Sequence, residues 1–117
     1  MSEILKELLT IEELNQALDS SKDRPVLLFK HSLTCPISAR AYREFRSYLE
    51  NAHPSVSYRL IVVQNAQTVS NEAARRLGVD HESPQALLVQ NSEEVWNASH
   101  FQITASTLTH AIKAILD

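Results

Sequence analysis

The chain carries one cysteine, Cys35, inside the run Lys30-His31-Ser32-Leu33-Thr34-Cys35-Pro36-Ile37-Ser38. An apolar stretch, Val26-Leu27-Leu28-Phe29, precedes this run and an amphipathic stretch follows it. A strand, a short turn and a helix in that order would set Cys35 at a helix N-terminus. Pro36 suits the first helical turn, where its missing N–H costs nothing and its fixed φ is already helical. The amides of Ile37 and Ser38 then lack intrahelical partners and, with the positive end of the helix dipole, favour thiolate over thiol. A free cysteine titrates at about 8.5, and such positions lower it to roughly 3.5–7.5. That chemistry is nucleophilic attack by sulfur. The competing reading is structural, because free cysteines often serve as small buried hydrophobes.

The neighbours are read in the same two ways. Thr34 shapes the turn. Ser38 lies one helical turn past Cys35, where its hydroxyl would either bond the thiolate or simply fill space. His31 is expected to be a partly exposed loop histidine; turned toward the sulfur, its imidazolium would lower the thiol pKa. Arg40, Arg43 and Arg46 recur every three residues and read as a solvated basic face, with Arg40 alone near enough in sequence to affect Cys35. His81 lies close to Ser83-Pro84 and reads as a loop residue that could line a groove. Trp96 and His100 fall at even spacing on a late strand, with core packing the expectation for Trp96.

These groups need elements to position them. Glu3 to Leu9 reads as a brief edge strand or a helical turn. Thr10 followed by Glu13 is a capping box, with Glu13 reaching back to Thr10, opening a helix with Ile11, Leu14 and Leu18 on one face and ending near Ser20. Val26 to Lys30 has the continuous apolar character of a strand buried on both faces. Ile37, Ala41, Phe45, Tyr48 and Leu49 form a stripe on a helix that ends near Asn51. Ser57 to Gln64 is a second buried strand, and Ser70 caps a helix from about Asn71 to Leu77, closed by Gly78. Gln85 to Gln90 is a third strand, Asn91 to Glu94 a turn, and Val95 to His100 a fourth strand. Thr104 or Ser106 caps a last helix lined by Leu108, Ala111, Ile112 and Ile115. The expected class is α/β, one domain over residues 1–117, with a central mixed sheet of four or five strands flanked by helices.

Bulk properties narrow the partners. With 117 residues and 44% hydrophobic content the chain supports one sizeable core. A net charge of −3 with scattered Lys and Arg disfavours nucleic acid as the main partner. Met1-Ser2-Glu3-Ile4 lacks a leader-like basic start, and no apolar run approaches the ~20 residues that span a bilayer. One cysteine makes no internal disulfide, so the expected compartment is the cytoplasm, and no Cys/His spacing suggests a metal.

The strand, turn and Cys-Pro order resembles the active-site element of thioredoxin and glutaredoxin folds, usually Cys-x-x-Cys. Ser38 stands where the second cysteine would be, and Thr34-Cys35-Pro36-Ile37-Ser38 resembles the monothiol bacilliredoxin family of thioredoxin-like proteins. The resemblance spans essentially the whole chain. It implies a thiol-disulfide oxidoreductase that removes bacillithiol from protein mixed disulfides through Cys35. Bacillithiol would be the thiol co-substrate, bacillithiolated proteins the clients, and no resident cofactor, nucleic acid or membrane is implied. A monomer is expected. It further implies a cis Ser83-Pro84 bond facing the cysteine, with Thr34, Pro36, Ile37, Ser38 and His31 supporting it and Ser83, Pro84, Arg40 and His81 forming a ligand groove. The chain departs from glutaredoxins in lacking the Gly-Gly pair that helps hold glutathione. Two other functions fit the same residues: an iron–sulfur carrier of monothiol glutaredoxin type, which usually has Gly where Pro36 stands, and a redox-inert domain.

Overall fold

A computed structural model describes residues 4–116 of the chain. Its order is β1 (Leu5–Glu7), α1 (Ile11–Ser20), β2 (Val26–His31), α2 (Pro36–Leu49), β3 (Ser57–Val62), α3 (Gln67–Leu77), β4 (Gln85–Gln90), β5 (Glu93–Ser99), one turn of 3-10 helix (His100–Gln102) and α4 (Ala105–Leu116). The five strands form one sheet in the order β1-β3-β2-β4-β5. β3 runs parallel to β1 and β2, while β4 is antiparallel to β2 and to β5.

β2 sits at the centre and every one of its residues is buried. Leu27 and Phe29 join Phe45 of α2 and Leu108 and Ile112 of α4 on one face. Val26 and Leu28 join Leu14 and Leu18 of α1 and Val69 and Ala73 of α3 on the other. Helices on both faces explain why the strand is apolar throughout rather than alternating. Each fully buried Leu or Phe here contributes about 1.5–3 kcal/mol, and Phe29 stacks on Phe45 with centroids 4.6 Å apart.

The local signals mostly hold, with informative exceptions. Residues 5–7 are the edge strand paired with β3; Glu3 of that stretch lies outside the described residues. Thr10 Oγ1 accepts the Glu13 amide, but Glu13 Oε1 accepts the Leu9 amide at 2.7 Å rather than that of Thr10. α2 buries Ser38, not Ile37, ahead of Ala41, Phe45 and Tyr48, and it ends at Leu49. β3 stops at Val62, two residues before the expected Gln64. α3 starts a turn early, at Gln67, so Ser70 lies inside the helix instead of capping it. The reason is that Val69 supplies core contact and the Ser70 hydroxyl bonds His81. Gly78 closes α3 at φ +69, the left-handed stop its lack of a Cβ permits. Asn91 and Ser92, both at positive φ, make the tight turn, so β5 begins at Glu93, and His100 opens the 3-10 turn instead of ending the strand. Thr104 is the residue that caps α4, its Oγ1 accepting the Thr107 amide at 3.0 Å.

Candidate active site at the end of the central strand

The sheet's registers bring four connections to one end. His31 of β2 pairs with Val62 of β3, Lys30 pairs with Gln85 at the start of β4, and Gln85 pairs with Ser99 at the end of β5. The segments 32–35, 63–66, 80–84 and 100–102 therefore converge where β2 ends. In α/β sheets, ligands bind beyond the carboxyl ends of the parallel strands.

Cys35 is the N-cap residue of α2, extended at φ −108 and ψ 120, with Pro36 in the first turn. It is free and partly exposed. Its sulfur takes no capping hydrogen bond from the helix. The expected engagement by the Ile37 and Ser38 amides is thus not made in this state, and those donors stay without intrahelical partners. The Ser32–Cys35 turn is tied to the end of β3 by Gln64. Leu33 N–H donates to Gln64 Oε1 at 3.0 Å, and Gln64 Nε2 donates to Ser32 Oγ at 3.0 Å and to Thr34 Oγ1 at 3.4 Å. Thr34 Oγ1 also lies 3.4 Å from Ser32 Oγ, consistent with a turn-shaping role.

Ser38 is fully buried, and its Oγ lies 2.8 Å from His31 Nδ1 while accepting the Ser32 amide at 2.9 Å. Its hydroxyl belongs to the turn and makes no bond to Cys35. His31 is correspondingly no loop residue. It is the last residue of β2, buried, and stacked on Tyr42 with centroids 4.6 Å apart. Burial pushes its pKa below the ordinary value. The neutral ring therefore braces the turn and offers no imidazolium to the sulfur. Strand alternation puts His31 on the same face as Leu27 and Phe29, toward α2, and that alternation was the available signal.

Across from this turn the Ser83-Pro84 bond is cis. Pro84 is buried, and its carbonyl accepts the His100 amide at 3.1 Å. The β2–β4 register ends at Lys30 and Gln85, so His31 and Pro84 are the residues next to that last pair. Ser83 Oγ is buried without a hydrogen-bond partner. Arg40 is half-buried rather than solvated, with its guanidinium 5.5 Å over the Phe101 ring and Nη1 buried and unpartnered. Arg43 and Arg46 are exposed as expected. Leu33 and Phe101, 61% and 62% exposed, are apolar side chains on the segment that leads to Cys35 and on the 3-10 turn that Arg40 covers. Trp96 packs partly buried against the core.

His81 is half-buried, and its Nδ1 lies 3.3 Å from Lys30 Nζ and 3.0 Å from Ser70 Oγ. Lys30 is the one charged residue in β2. No sequence signal marks it except that a lysine interrupts an apolar run. Phe101, Gln64 and Tyr42 also escape sequence reading, because their contacts with Arg40, the Ser32–Thr34 turn and His31 come from sheet order or from a ring stack. Among the described residues no helix is long and apolar enough to cross a membrane.

A solved structure named as an oxidoreductase with a thioredoxin fold superposes with a TM-score of 0.81 at 36% identity, covering 92% of this chain and 93% of that one. Fasciola hepatica thioredoxin (14% identity, TM-score 0.75, covering 93% of this chain and 97% of its own) shares the fold. So does poplar thioredoxin h (21%, 0.76, 97% and 96%). The five-stranded mixed sheet with four helices is a thioredoxin fold. Its role is of the thiol-disulfide oxidoreductase kind. With a match to the monothiol bacilliredoxin BrxC family over residues 6–108, the chain belongs to that family.

Proposed function

We propose that this protein removes bacillithiol from protein mixed disulfides by single-thiol chemistry at Cys35. The observation that carries the reading is the pairing of one partly exposed cysteine at the start of α2 with a buried Ser38 whose hydroxyl is engaged by His31 and Ser32. Cys35 caps α2 beside amides that lack intrahelical partners, donors open to a ligand at the sulfur. The Cys35 thiolate attacks the bacillithiol sulfur of the client's mixed disulfide. The old S–S bond breaks, the client departs as a thiolate that takes a proton from water, and Cys35 is left joined to bacillithiol. A second thiolate, from bacillithiol or a separate reductase, attacks the bacillithiol sulfur of that adduct. Bacillithiol leaves as a disulfide with that thiol, a small disulfide when the thiol is bacillithiol and a mixed disulfide on the reductase otherwise, and the Cys35 thiolate returns. No metal or nucleotide takes part. The backbone at Ser83, beside Cys35, pairs with an extended ligand in β fashion, and Arg40 and His81 border the groove. The chain works as a monomer in the cytoplasm, with neither nucleic acid nor membrane as partner.

The choice of bacillithiol rests on the family and on the missing Gly-Gly pair. It is tested by intact mass measurement after incubation with bacillithiol disulfide and, separately, with glutathione disulfide. One adduct per chain at Cys35 from bacillithiol, reversed by excess thiol, is the expected result. An adduct with glutathione alone, or none with either, overturns the assignment.

A further inference from the structure

Lys30 lies next to the last residue of the central strand β2 and pairs with Gln85, two residues past Ser83. Its side chain is 0% exposed. The ammonium donates to the Ser70 carbonyl of α3 at 3.1 Å and to His81 Nδ1 at 3.3 Å. Among the described residues no carboxylate forms an ion pair with it. Its cross-strand neighbour on the same sheet face is Gln85, whose Nε2 donates to the Asp80 carbonyl at 3.0 Å and whose Oε1 is buried without a partner. The loop from Asp80 to Pro84 is thus held at Asp80 by Gln85, at His81 by Lys30 and Ser70, at Glu82 by His100 (3.3 Å), and at Pro84 by the His100 amide. Ser83 is the one residue of the loop with no such tie.

A buried ammonium without a counter-ion is costly, and an apolar side chain of similar length would fill the same space at no such cost. We propose that Lys30 is a positioning residue, a buried staple that fixes the Asp80–Pro84 loop so that Ser83 is presented to the ligand at Cys35. Protonated lysine has only donors, so His81 Nδ1 must be the accepting nitrogen and the ring proton sits on Nε2. Burial and the Lys30 charge, in that order, lower the pKa of His81, while Glu82 opposes them. The groups facing this pair are Ser70 from α3, Gln85 from β4 and Glu82 from the loop itself. Protonation of His81 in acid sets two cations against each other and loosens the staple.

The proposal rests on the exchange reaction assigned to Cys35, and its test separates the two. Lys30→Met keeps the aliphatic stem and removes the ammonium. Exchange with a bacillithiolated reporter protein is expected to fall about tenfold, while alkylation of Cys35 by iodoacetamide changes by less than about twofold. The His100 amide, which donates to the Pro84 carbonyl at 3.1 Å and so reports on the loop's end, is expected to exchange its hydrogen about tenfold faster. Undiminished exchange, or an equal fall in alkylation, overturns the proposal. If the wild-type protein does not exchange with the reporter, the functional reading fails, and the amide rates alone decide the staple: equal protection in both proteins overturns it. Nitrogen NMR of the wild type is expected to show His81 neutral and protonated on Nε2 at neutral pH, and an Nδ1–H ring overturns the assignment. Should Lys30→Met not fold, His81→Ala removes the other end of the contact; because His81 also borders the groove, the His100 amide rate alone decides there, and an unchanged rate overturns the proposal.

Discussion

Ser38 occupies the place of a resolving thiol, and its surroundings explain why a hydroxyl serves there. The oxygen accepts the Ser32 amide and bonds His31 Nδ1, both inside the protein. Sulfur is a weak acceptor and donor in such bonds. Ser38→Ala leaves the Ser32 N–H and a buried imidazole nitrogen unsatisfied, which costs about 1–3 kcal/mol. The expected result is a lower urea midpoint with an unchanged slope; an unchanged midpoint would show that the hydroxyl is not needed to hold the turn. Neither bond was legible from sequence. Ser38 and His31 stand seven positions apart, and only the strand's side-chain alternation and the helix's rotation turn them toward each other. From spacing alone His31 reads as a loop residue and Ser38 as either a partner of the thiolate or a space-filler, and both serve the turn instead.

At the scale of elements, two strand ends and a turn form the frame for Cys35. Gln64 lies just past β3 and holds Leu33, Ser32 and Thr34 with one exposed amide side chain. Because those bonds compete with water, Gln64→Ala should cost under about 1 kcal/mol in stability. The Leu33 amide should nevertheless exchange its hydrogen about tenfold faster. Undisturbed protection at Leu33 would mean that the turn stands without Gln64. Element types and order were readable, since each helix has a one-sided apolar stripe and β2 and β4 are continuous apolar runs flanked by turn residues. Edges were not. Ser70 offered itself as a cap, yet Val69 found the core and drew the helix one turn further back. His100 continued an alternating pattern, yet its backbone at φ +54 leaves the strand and brings its amide to Pro84. In both places tertiary contact overrode local preference. The candidate site divides in the same way: Cys35, Pro36 and the Ser83-Pro84 pair carry local signals, whereas Lys30, Gln64 and Phe101 reach the site only through the order of strands.

For the molecule as a whole, both sheet faces are covered by helices, and Lys30 is the only lysine, arginine or carboxylate in the buried set among the described residues. Burial lowers its pKa from 10.5 to about 8. The folded state therefore gives up the Lys30 proton before the unfolded state does. Below about pH 8 both states hold it and the penalty for burying charge is complete; between about 8 and 10.5 the unfolded state binds more protons, so stability rises with pH. The full gap corresponds to about 3 kcal/mol, and about 2 kcal/mol of it should be recovered between pH 7 and 9.5. The upper limit of that range matters, because burial and its bond to Tyr48 raise the Tyr58 pKa, a group that keeps its proton when folded and so lowers stability at higher pH. Urea unfolding at pH 7, 8.5 and 9.5 should show the rise in the wild-type protein and a flatter profile in Lys30→Met, which should also be the more stable of the two at pH 7. Equal pH dependence in the two proteins would show that the ammonium is not buried as a charge. A variant that gains stability while losing exchange would set Lys30 apart from the apolar residues around it in the core, whose replacement lowers stability first.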